Sequence, residues 1–187
     1  MTQANVTTLL DAAREGDPDA AWRALALIHE RMRRAAGYLM RGERAEHTWQ
    51  PTALVNEAAL RLLGSEALKQ AQDGPGLVLA ATRAMRQLLV DHARARGRLK
   101  RGGVGKRLAL DSVPDVAAPG EGDLALQEAL GDLARLSPRQ ADVVTLRFFG
   151  GLSVPEAAEA LGVSVSTVEA DYRVARAWLR QRLGGEA

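Results

Sequence analysis

The sequence predicts an all-α protein with two small helical domains joined by a flexible linker, the C-terminal domain being a helix-turn-helix. Of 187 residues, 47% are hydrophobic but only 4% are aromatic. The core must therefore be built mainly from Ala, Leu and Val, which favours helices. Apolar residues recur at helical spacing on both sides of a Pro- and Gly-containing stretch that has no sustained period. The predicted units are residues 1–103, a linker at 104–122, and residues 123–187.

The first helices are predicted from apolar spacing and from turn residues. Between residues 6 and 40 the apolar positions follow a helical period that is interrupted at Gly16-Asp17-Pro18, which is typical of a turn. This pattern predicts a short helix followed by a long one. Pro51 suits the entry of a further amphipathic helix over residues 52–63, which Gly64 ends.

A basic helix is predicted over residues 77–98, after a loop that contains Asp73-Gly74-Pro75-Gly76. The net charge of the chain is only +2, but residues 83–107 hold nine Lys or Arg and one acid, Asp91. The rest of the chain is weakly acidic. Apolar residues mark a buried face of this helix, and its arginines fall largely outside that face: Arg83, Arg86, Arg94, Arg96 and Arg98. Such a fixed basic ridge indicates a polyanionic partner.

The C-terminal domain shows three helix-capping signals in close succession. Residues 137–140 (SPRQ) and 153–156 (SVPE) have the form of capping boxes with Pro near the start of the helix. Gly150-Gly151 ends the first of these helices. The turn Gly162-Val163-Ser164 ends the second and caps a third over residues 165–183. Two helices separated by this short turn predict a helix-turn-helix.

The third of these helices divides into two faces, as a helix that enters a DNA groove must. An apolar stripe would anchor it: Val168, Tyr172, Ala175, Leu179 and Leu183. Polar and small residues outside the stripe would reach base edges: Ser166, Thr167, Glu169, Ala170, Arg173 and Arg176. An ordinary helical hairpin with a polar outer face is the alternative. Trp178 is assigned to the core or to an interface.

Two separate segments and their order resemble bacterial sigma factors of the sigma-70 class, extracytoplasmic-function (ECF) type. Residues 136–183, from LSPRQADVV to ARAWLRQRL, resemble region 4 of that family, which recognises the −35 promoter element. Residues 52–63 (TALVNEAALRLL) and 81–103 (ATRAMRQLLVDHARARGRLKRGG) resemble region 2, which docks on the polymerase clamp and opens the −10 element. An ECF-like subgroup of the family is most similar in three segments, HTWQPTALVNEA, LLVDHARARGR and ARAWL. Only the linker is unmatched.

The resemblance implies a sigma factor that binds core RNA polymerase, through its clamp and flap, and promoter DNA. An anti-sigma factor is a further partner that the family allows. In region 2, the resemblance assigns polymerase binding to Asn56, Glu57 and Arg61, whereas Leu54 and Val55 are assigned to the core. It assigns −10 DNA binding to Arg83, Arg86, Gln87, His92, Arg94, Arg96 and Arg98. In region 4, it assigns −35 binding to Ser166, Thr167, Glu169, Ala170, Arg173 and Arg176.

The chain departs from the family pattern at two places. No Phe, Tyr or Trp occurs between Gly64 and Arg98, where members often use aromatic residues to stack on unpaired bases. Stacking contributes about 1–3 kcal/mol per base, so weaker melting or a greater dependence on polymerase is expected. Glu169 stands where many members have Lys or Arg. Because Glu can accept from the amino group of cytosine, an altered −35 sequence is expected.

Other functions are less well supported by the sequence. A LuxR-type regulator shares the helix-turn-helix, but residues 1–100 lack the strand and helix alternation of a receiver domain. A basic RNA-binding scaffold would leave the helix-turn-helix unexplained. An enzyme is not predicted, since HExxH, Walker A and GxSxG motifs are missing and the histidines (His29, His47, His92) are far apart. With no cysteine, zinc-finger, iron–sulfur and thiol chemistry are excluded, and no metal or cofactor is expected. A cytoplasmic location fits the lack of a signal peptide.

Overall fold

A computed structural model describes residues 2–40, 50–97 and 124–184 of the chain. Within these ranges the protein consists of α-helices and one short π-helix, with no β-strand, which confirms the predicted all-α fold. None of the described helices is long and apolar enough to cross a membrane. The predicted linker at 104–122 lies outside the described residues, as do His47 and Arg98.

The N-terminal unit has six helices. In chain order they are α1 (Thr2–Arg14), α2 (Pro18–Leu27), α3 (His29–Leu39), α4 (Pro51–Leu62), α5 (Glu66–Gln70) and α6 (Gly74–Gly97). The predicted turn at residues 16–18 is confirmed, because Asp17 caps α2 by accepting from the backbone N–H of Asp19 at 2.9 Å. α4 is the helix predicted at residues 52–63, shifted by one residue.

Three features of this unit differ from the expectation. The predicted long helix is two helices, α2 and α3, because the chain leaves helical geometry at the buried Ile28. This break lets α2 pack on α1 while α3 packs on α4 and α6. The predicted loop contains α5, whose five residues are too few to show a helical period. α6 begins at Gly74 rather than at residue 77, since Asp73 accepts from the N–H of Gly76 at 2.7 Å.

The C-terminal unit contains the predicted helix-turn-helix. Its elements are α7 (Leu124–Leu136), α8 (Pro138–Val144), the π-helix π1 (Thr145–Phe149), α9 (Val154–Leu161) and α10 (Val165–Gly184). α9 and α10 are the two helices of the motif. Gly162 joins them in left-handed geometry with φ of 62°, a conformation that glycine adopts without strain.

Two of the three predicted caps are confirmed. Ser153 and Glu156 form a full capping box, in which the Ser153 N–H donates to Glu156 Oε2 at 2.8 Å. Ser164 accepts from the N–H of Thr167 at 3.1 Å. The capping box predicted at residues 137–140 was wrong, since the Ser137 side chain makes no capping bond. Ser137 is the single residue between α7 and α8. Its N–H donates to the Leu133 carbonyl at 2.7 Å, which completes the last turn of α7.

The buried side chains of the two units form one continuous cluster. α6 packs against α7, π1 and α9, and α3 packs against π1. Burial of Met85 and Leu89 on α6, and of Leu146 and Phe149 in π1, belongs to this shared core. The boundaries of the two units stay a prediction from sequence, but in this arrangement the units are in direct contact through α6.

Candidate nucleic-acid interface

α10 presents a polar face to the outside of the C-terminal unit. Its packing partners are α7, α8 and α9. Val168, Ala175 and Leu179 are buried against these helices, as the apolar stripe predicted. On the opposite side, four of the predicted −35 residues are exposed at i, i+3, i+4 and i+7 spacing: Ser166, Glu169, Ala170 and Arg173. This spacing places them on one face of one helix.

Hydroxyl groups are clustered at the first turn of α10. Ser164 Oγ lies 2.9 Å from Ser166 Oγ and 2.7 Å from Thr167 Oγ1. Thr167 is half-buried, so its hydroxyl completes the cap, whereas Ser166 is exposed. The cap therefore holds the Ser166 hydroxyl at the N-terminus of the helix, the part that contacts base edges in helix-turn-helix proteins.

An ion pair that the sequence analysis missed joins α8 to α10. Arg139 Nε donates to Asp171 Oδ2 at 2.6 Å, and Arg139 Nη2 donates to Asp171 Oδ1 at 3.4 Å. The hydrogen bond and the charge of Asp171 raise the pKa of Arg139. The Asp171 side chain is only 9% exposed, so the guanidinium pairs with a carboxylate that is buried on the inner side of α10. The sequence signal for this ion pair was an acidic residue, Asp171, next to the apolar stripe of α10. That signal does not identify Arg139 as the partner.

Arg176 lies at the edge of the exposed face of α10 rather than at its centre. Its guanidinium carbon lies 5.7 Å from the centre of the Tyr172 ring, and that of Arg147 in π1 lies at the same distance. Arg147 also donates to the Leu152 carbonyl at 2.6 Å. Both guanidinium groups therefore lie close to the Tyr172 ring, which links π1 to α10, and Arg176 is half-buried.

On α6, two of the predicted −10 residues contact the C-terminal unit. Arg83 forms an ion pair with Asp142 of α8. Arg86 Nε donates to Gln127 Oε1 at 2.9 Å, and its two other nitrogens face the Gln127 carbonyl and Thr145 Oγ1, each at 3.4 Å. Burial, with a smaller contribution from the like charge of Arg83, lowers the pKa of Arg86 to about 10. Arg86 thus departs from the exposed ridge that the sequence predicted, because the C-terminal unit covers it.

The other predicted −10 residues lie further along α6. Gln87 is exposed, and its amide donates to Asp91 Oδ1 at 2.7 Å. The other oxygen of Asp91 lies 3.4 Å from Arg61 Nη1 on α4, which joins the two helices. His92 is half-buried. The side chains of Arg94 and Arg96 lie outside the described residues, so the end of the ridge is known only from its sequence.

α4 presents the predicted polymerase-binding residues on its outer face. Asn56, Glu57 and Arg61 are exposed, whereas Leu54 and Val55 are buried, as predicted. Leu60 lies on the same outer face and is 56% exposed, which the sequence analysis did not single out. A single exposed apolar residue is common on protein surfaces, so Leu60 by itself does not identify a binding site.

The described residues contain no group of three His, Asp or Glu side chains placed to hold a metal ion. A groove of about 640 Å³ separates α4–α6 from α9, and Leu79, Arg83 and Leu161 are among the residues that line it. Its lining brings together two arginines, Arg61 and Arg83, two carboxylates, Asp73 and Glu159, and apolar side chains from both units.

Comparison with known proteins points to one family. A family model described as "ECF sigma factor" matches residues 3–185. One similar solved structure is CnrH in complex with the cytosolic domain of CnrY, at 22% identity, covering 98% of this chain and 99% of that chain with a TM-score of 0.43. Another is the sigma factor RpoE in complex with the anti-sigma factor NepR from Bartonella quintana, at 19% identity, covering 88% and 97% with a TM-score of 0.37. No curated protein matches the chain.

Proposed function

The chain belongs to the ECF sigma factor family, and from this we propose that it binds core RNA polymerase and directs transcription from promoters with its own −35 and −10 elements. Sigma factors are in general specificity subunits rather than enzymes. The observation that carries the proposal is that both segments needed for the role, the helix-turn-helix and the basic helix, lie within one family match. A LuxR-type regulator would share only the helix-turn-helix.

The exposed face of α10 supports recognition of the −35 element. Arg173 carries a planar guanidinium that can donate hydrogen bonds to guanine, and Glu169 can accept a hydrogen bond from the amino group of cytosine. The cap formed by Ser164 places Ser166 at the first turn. We expect Glu169 and Arg173 to specify base pairs, since both are exposed and separated by one helical turn.

The exposed part of α6 supports contact with the −10 strand. Gln87 offers an amide that can donate and accept, at a position where many members of the family have Asn. The bond between Gln87 and Asp91, and that between Asp91 and Arg61, fix this amide against α4. Arg83 and Arg86 are the cations that we propose for the phosphate backbone.

Core polymerase is required by the energetics of the proposal. Opening roughly ten base steps at about 1.4 kcal/mol each costs on the order of 14 kcal/mol. The C-terminal unit, with seven basic and nine acidic residues over 123–187, has little charge with which to bind DNA alone. Polymerase would supply a basic channel and join two weak DNA contacts into one bivalent contact. In this proposal the outer face of α4, which carries Asn56, Glu57 and Arg61, docks on the clamp, and the C-terminal unit docks on the flap.

A transcription assay tests this function. Purified bacterial core polymerase transcribes a pool of random promoter fragments, with and without the chain, and the start sites are sequenced. We expect transcripts only with the chain, from fragments that share two conserved blocks. Specific binding of duplex DNA by the chain alone, without transcripts, would favour a regulator instead. An anti-sigma factor stays a predicted partner, which a pull-down with candidate partners would test.

A further inference from the structure

One carboxylate on α6 contacts a side chain proposed to read DNA and a side chain proposed to bind polymerase. Asp91 Oδ1 accepts a hydrogen bond from Gln87 Nε2 at 2.7 Å, and Asp91 Oδ2 lies 3.4 Å from Arg61 Nη1. Gln87 precedes Asp91 by about one turn of α6, whereas Arg61 belongs to α4, which packs against α6. The three side chains therefore form a row of polar contacts across the two helices.

The contact with Asp91 determines which way the Gln87 amide faces. A carboxylate only accepts hydrogen bonds, so it can bind the amide nitrogen of Gln87 but not the amide oxygen. Nε2 is therefore directed toward Asp91, and Oε1, on the other branch of the same amide, is directed away from it. Gln87 is exposed, so the edge that it turns outward is the edge that carries the acceptor.

Arg61 constrains the other side of residue 91. A guanidinium only donates hydrogen bonds, so the atom of residue 91 that faces Arg61 must be an acceptor. The side chains of Arg61 and Asp91 are 48% and 46% exposed, and an ion pair as exposed as this adds little to stability. Its consequence is geometric. One oxygen of Asp91 is directed to α4, and the other is left for Gln87.

We propose that Asp91 is a positioning residue that turns the Gln87 amide oxygen outward, so that Gln87 favours an unpaired −10 base with an amino group over thymine. The inference rests on the proposed function, because it requires Gln87 to meet a base of the opened −10 strand. Adenine, cytosine and guanine each carry an amino group that can donate to an outward oxygen. Thymine has no amino group and presents carbonyl oxygens instead, which meet the outward acceptor without a hydrogen bond.

Replacement of Asp91 by Asn should reverse the orientation of the Gln87 amide. In Asp91→Asn, the new amide oxygen faces Arg61, because it is the end of the new side chain that accepts. The new NH2 group then faces Gln87, which turns its own Oε1 inward to accept from it. Nε2 of Gln87 consequently faces outward and offers donors that the carbonyl oxygens of thymine can accept. The substitution keeps the shape of the side chain and changes the direction of its hydrogen bonds.

The base preference of the downstream block in transcription by core polymerase provides the test. Parent chain, Asp91→Asn and Asp19→Asn are each assayed on the random promoter pool, and the transcribed fragments are sequenced. Asp19→Asn is the matched control, since it makes the same chemical change at an exposed position of α2. We expect one downstream position at which the parent disfavours thymine. The share of thymine relative to the other bases at this position should rise about two- to tenfold in Asp91→Asn and stay unchanged in Asp19→Asn.

A second pair of variants shows whether Asp91 acts through Gln87. Loss of a carboxylate near the strand also strengthens phosphate binding in general, and that effect does not need the amide. We expect Gln87→Leu to lose the preference against thymine. Adding Asp91→Asn to Gln87→Leu should then change the base preference no further. An equal shift in base preference with and without Gln87 would overturn the positioning role.

NMR of the side-chain amides tests the orientation of Gln87 in the full chain without polymerase. The Nε2 signal of Gln87 is identified by its loss in Gln87→Leu. We expect an Nε2 proton shifted by the hydrogen bond to the carboxylate in the parent chain and in Asp19→Asn. In Asp91→Asn the signal should return toward that of solvent-exposed amides. A Gln87 signal that is the same in all three proteins would contradict the orientation.

The outcomes separate this inference from the proposed function. Chain-dependent transcripts with a downstream block that Asp91→Asn leaves unchanged would overturn the positioning role and leave the sigma role intact. A parent preference for thymine at the position that depends on Gln87 would do the same. Absence of chain-dependent transcripts would contradict the proposed function and the base preference together, and the NMR result would then decide the orientation of Gln87 by itself.

Discussion

Single side chains link α10 to its neighbouring helices, and the pair formed by Arg139 and Asp171 is one example. Arg139 is 55% exposed, whereas Asp171 is 9% exposed, so solvent screens one partner and not the other. The pair therefore links α10 to α8 in addition to the buried stripe of Val168, Ala175 and Leu179.

Removal of Arg139 alone should cost more than removal of both partners. Arg139→Leu leaves the buried Asp171 charged and without its guanidinium, which we expect to lower the free energy of unfolding by about 1–3 kcal/mol. Arg139→Leu with Asp171→Leu removes the need for a partner and should recover part of this loss. Chemical denaturation of both variants and of Asp171→Leu measures the coupling. Additive effects would contradict a role for the pair.

Glu156 gives the stability of α9 a defined pH dependence. Its hydrogen bond from the Ser153 N–H, with smaller contributions from the Ser153 hydroxyl and Arg31, lowers the pKa of Glu156 from its usual 4.5. A carboxyl whose pKa is lowered by folding stabilises the protein above its unfolded pKa. This stabilisation is lost as the pH falls through the lower folded pKa.

Comparison with Glu156→Gln isolates that charge, because Gln can keep the capping box. At neutral pH the parent protein should be more stable than the variant by a few tenths of a kcal/mol. The difference should shrink as the pH is lowered below about 4.5 and vanish in strong acid. Measurement of the unfolding free energies of both proteins across this pH range tests the prediction. A difference that does not change with pH would show that the charge is not involved.

At the scale of elements, π1 is the feature that shapes the C-terminal unit. The π-helix widens the last turn after α8, and the chain then closes on itself at Gly150, whose N–H bonds to the Thr145 carbonyl at 2.9 Å. A Cβ on Gly150 would lie 2.7 Å from the Leu146 carbonyl oxygen. The close approach of backbone to backbone explains why the turn before α9 carries glycine.

Gly150→Ala should therefore destabilise the protein. The new methyl group meets backbone, which cannot move aside as a side chain would, and we expect a loss of about 1–3 kcal/mol. Gly131→Ala is the matched control, since nothing lies within 4 Å of a Cβ at this position in α7. Because alanine favours a helix interior, this variant should be as stable as the parent or about 0.5–1 kcal/mol more stable. Thermal unfolding of the two variants measures this difference in stability. Equal stabilities would contradict the close contact at Gly150.

Elements with a sustained apolar period were predictable from sequence, and the others were not. α4, α6, α9 and α10 were predicted near their observed bounds because each buries one stripe and begins with a clear cap or proline. The break at Ile28 could not be predicted, since it carries no Gly or Pro and depends on packing of α2 and α3 on different partners. π1 lies within an apolar run whose residue types also suit an α-helix, so the sequence did not distinguish the two kinds of helix.

The candidate site was predictable where it depends on one helix. The exposed face of α10 follows from its own period, so Ser166, Glu169 and Arg173 were placed correctly on an exposed surface. Contacts between distant segments, such as Arg86 with Gln127, have no spacing signal. The sequence consequently predicted an exposed ridge on α6, whereas tertiary packing covers Arg86.

At the scale of the whole molecule, the two predicted DNA-binding surfaces differ in access. The outer face of α10 is exposed, whereas on α6 Arg83 and Gln87 are exposed and Arg86 is covered by the C-terminal unit. In this arrangement the predicted −10 surface on α6 is therefore only partly accessible.

The most direct test of the account is a change of promoter preference in transcription by core polymerase. Parent chain and Glu169→Lys are each assayed on the random promoter pool, with Glu128→Lys as the control for charge. We predict that Glu169→Lys changes one position of the upstream block toward a base with acceptor atoms, leaving the downstream block unchanged. An unchanged upstream block, or transcripts that do not depend on the chain, would contradict the assignment of α10 to the −35 element.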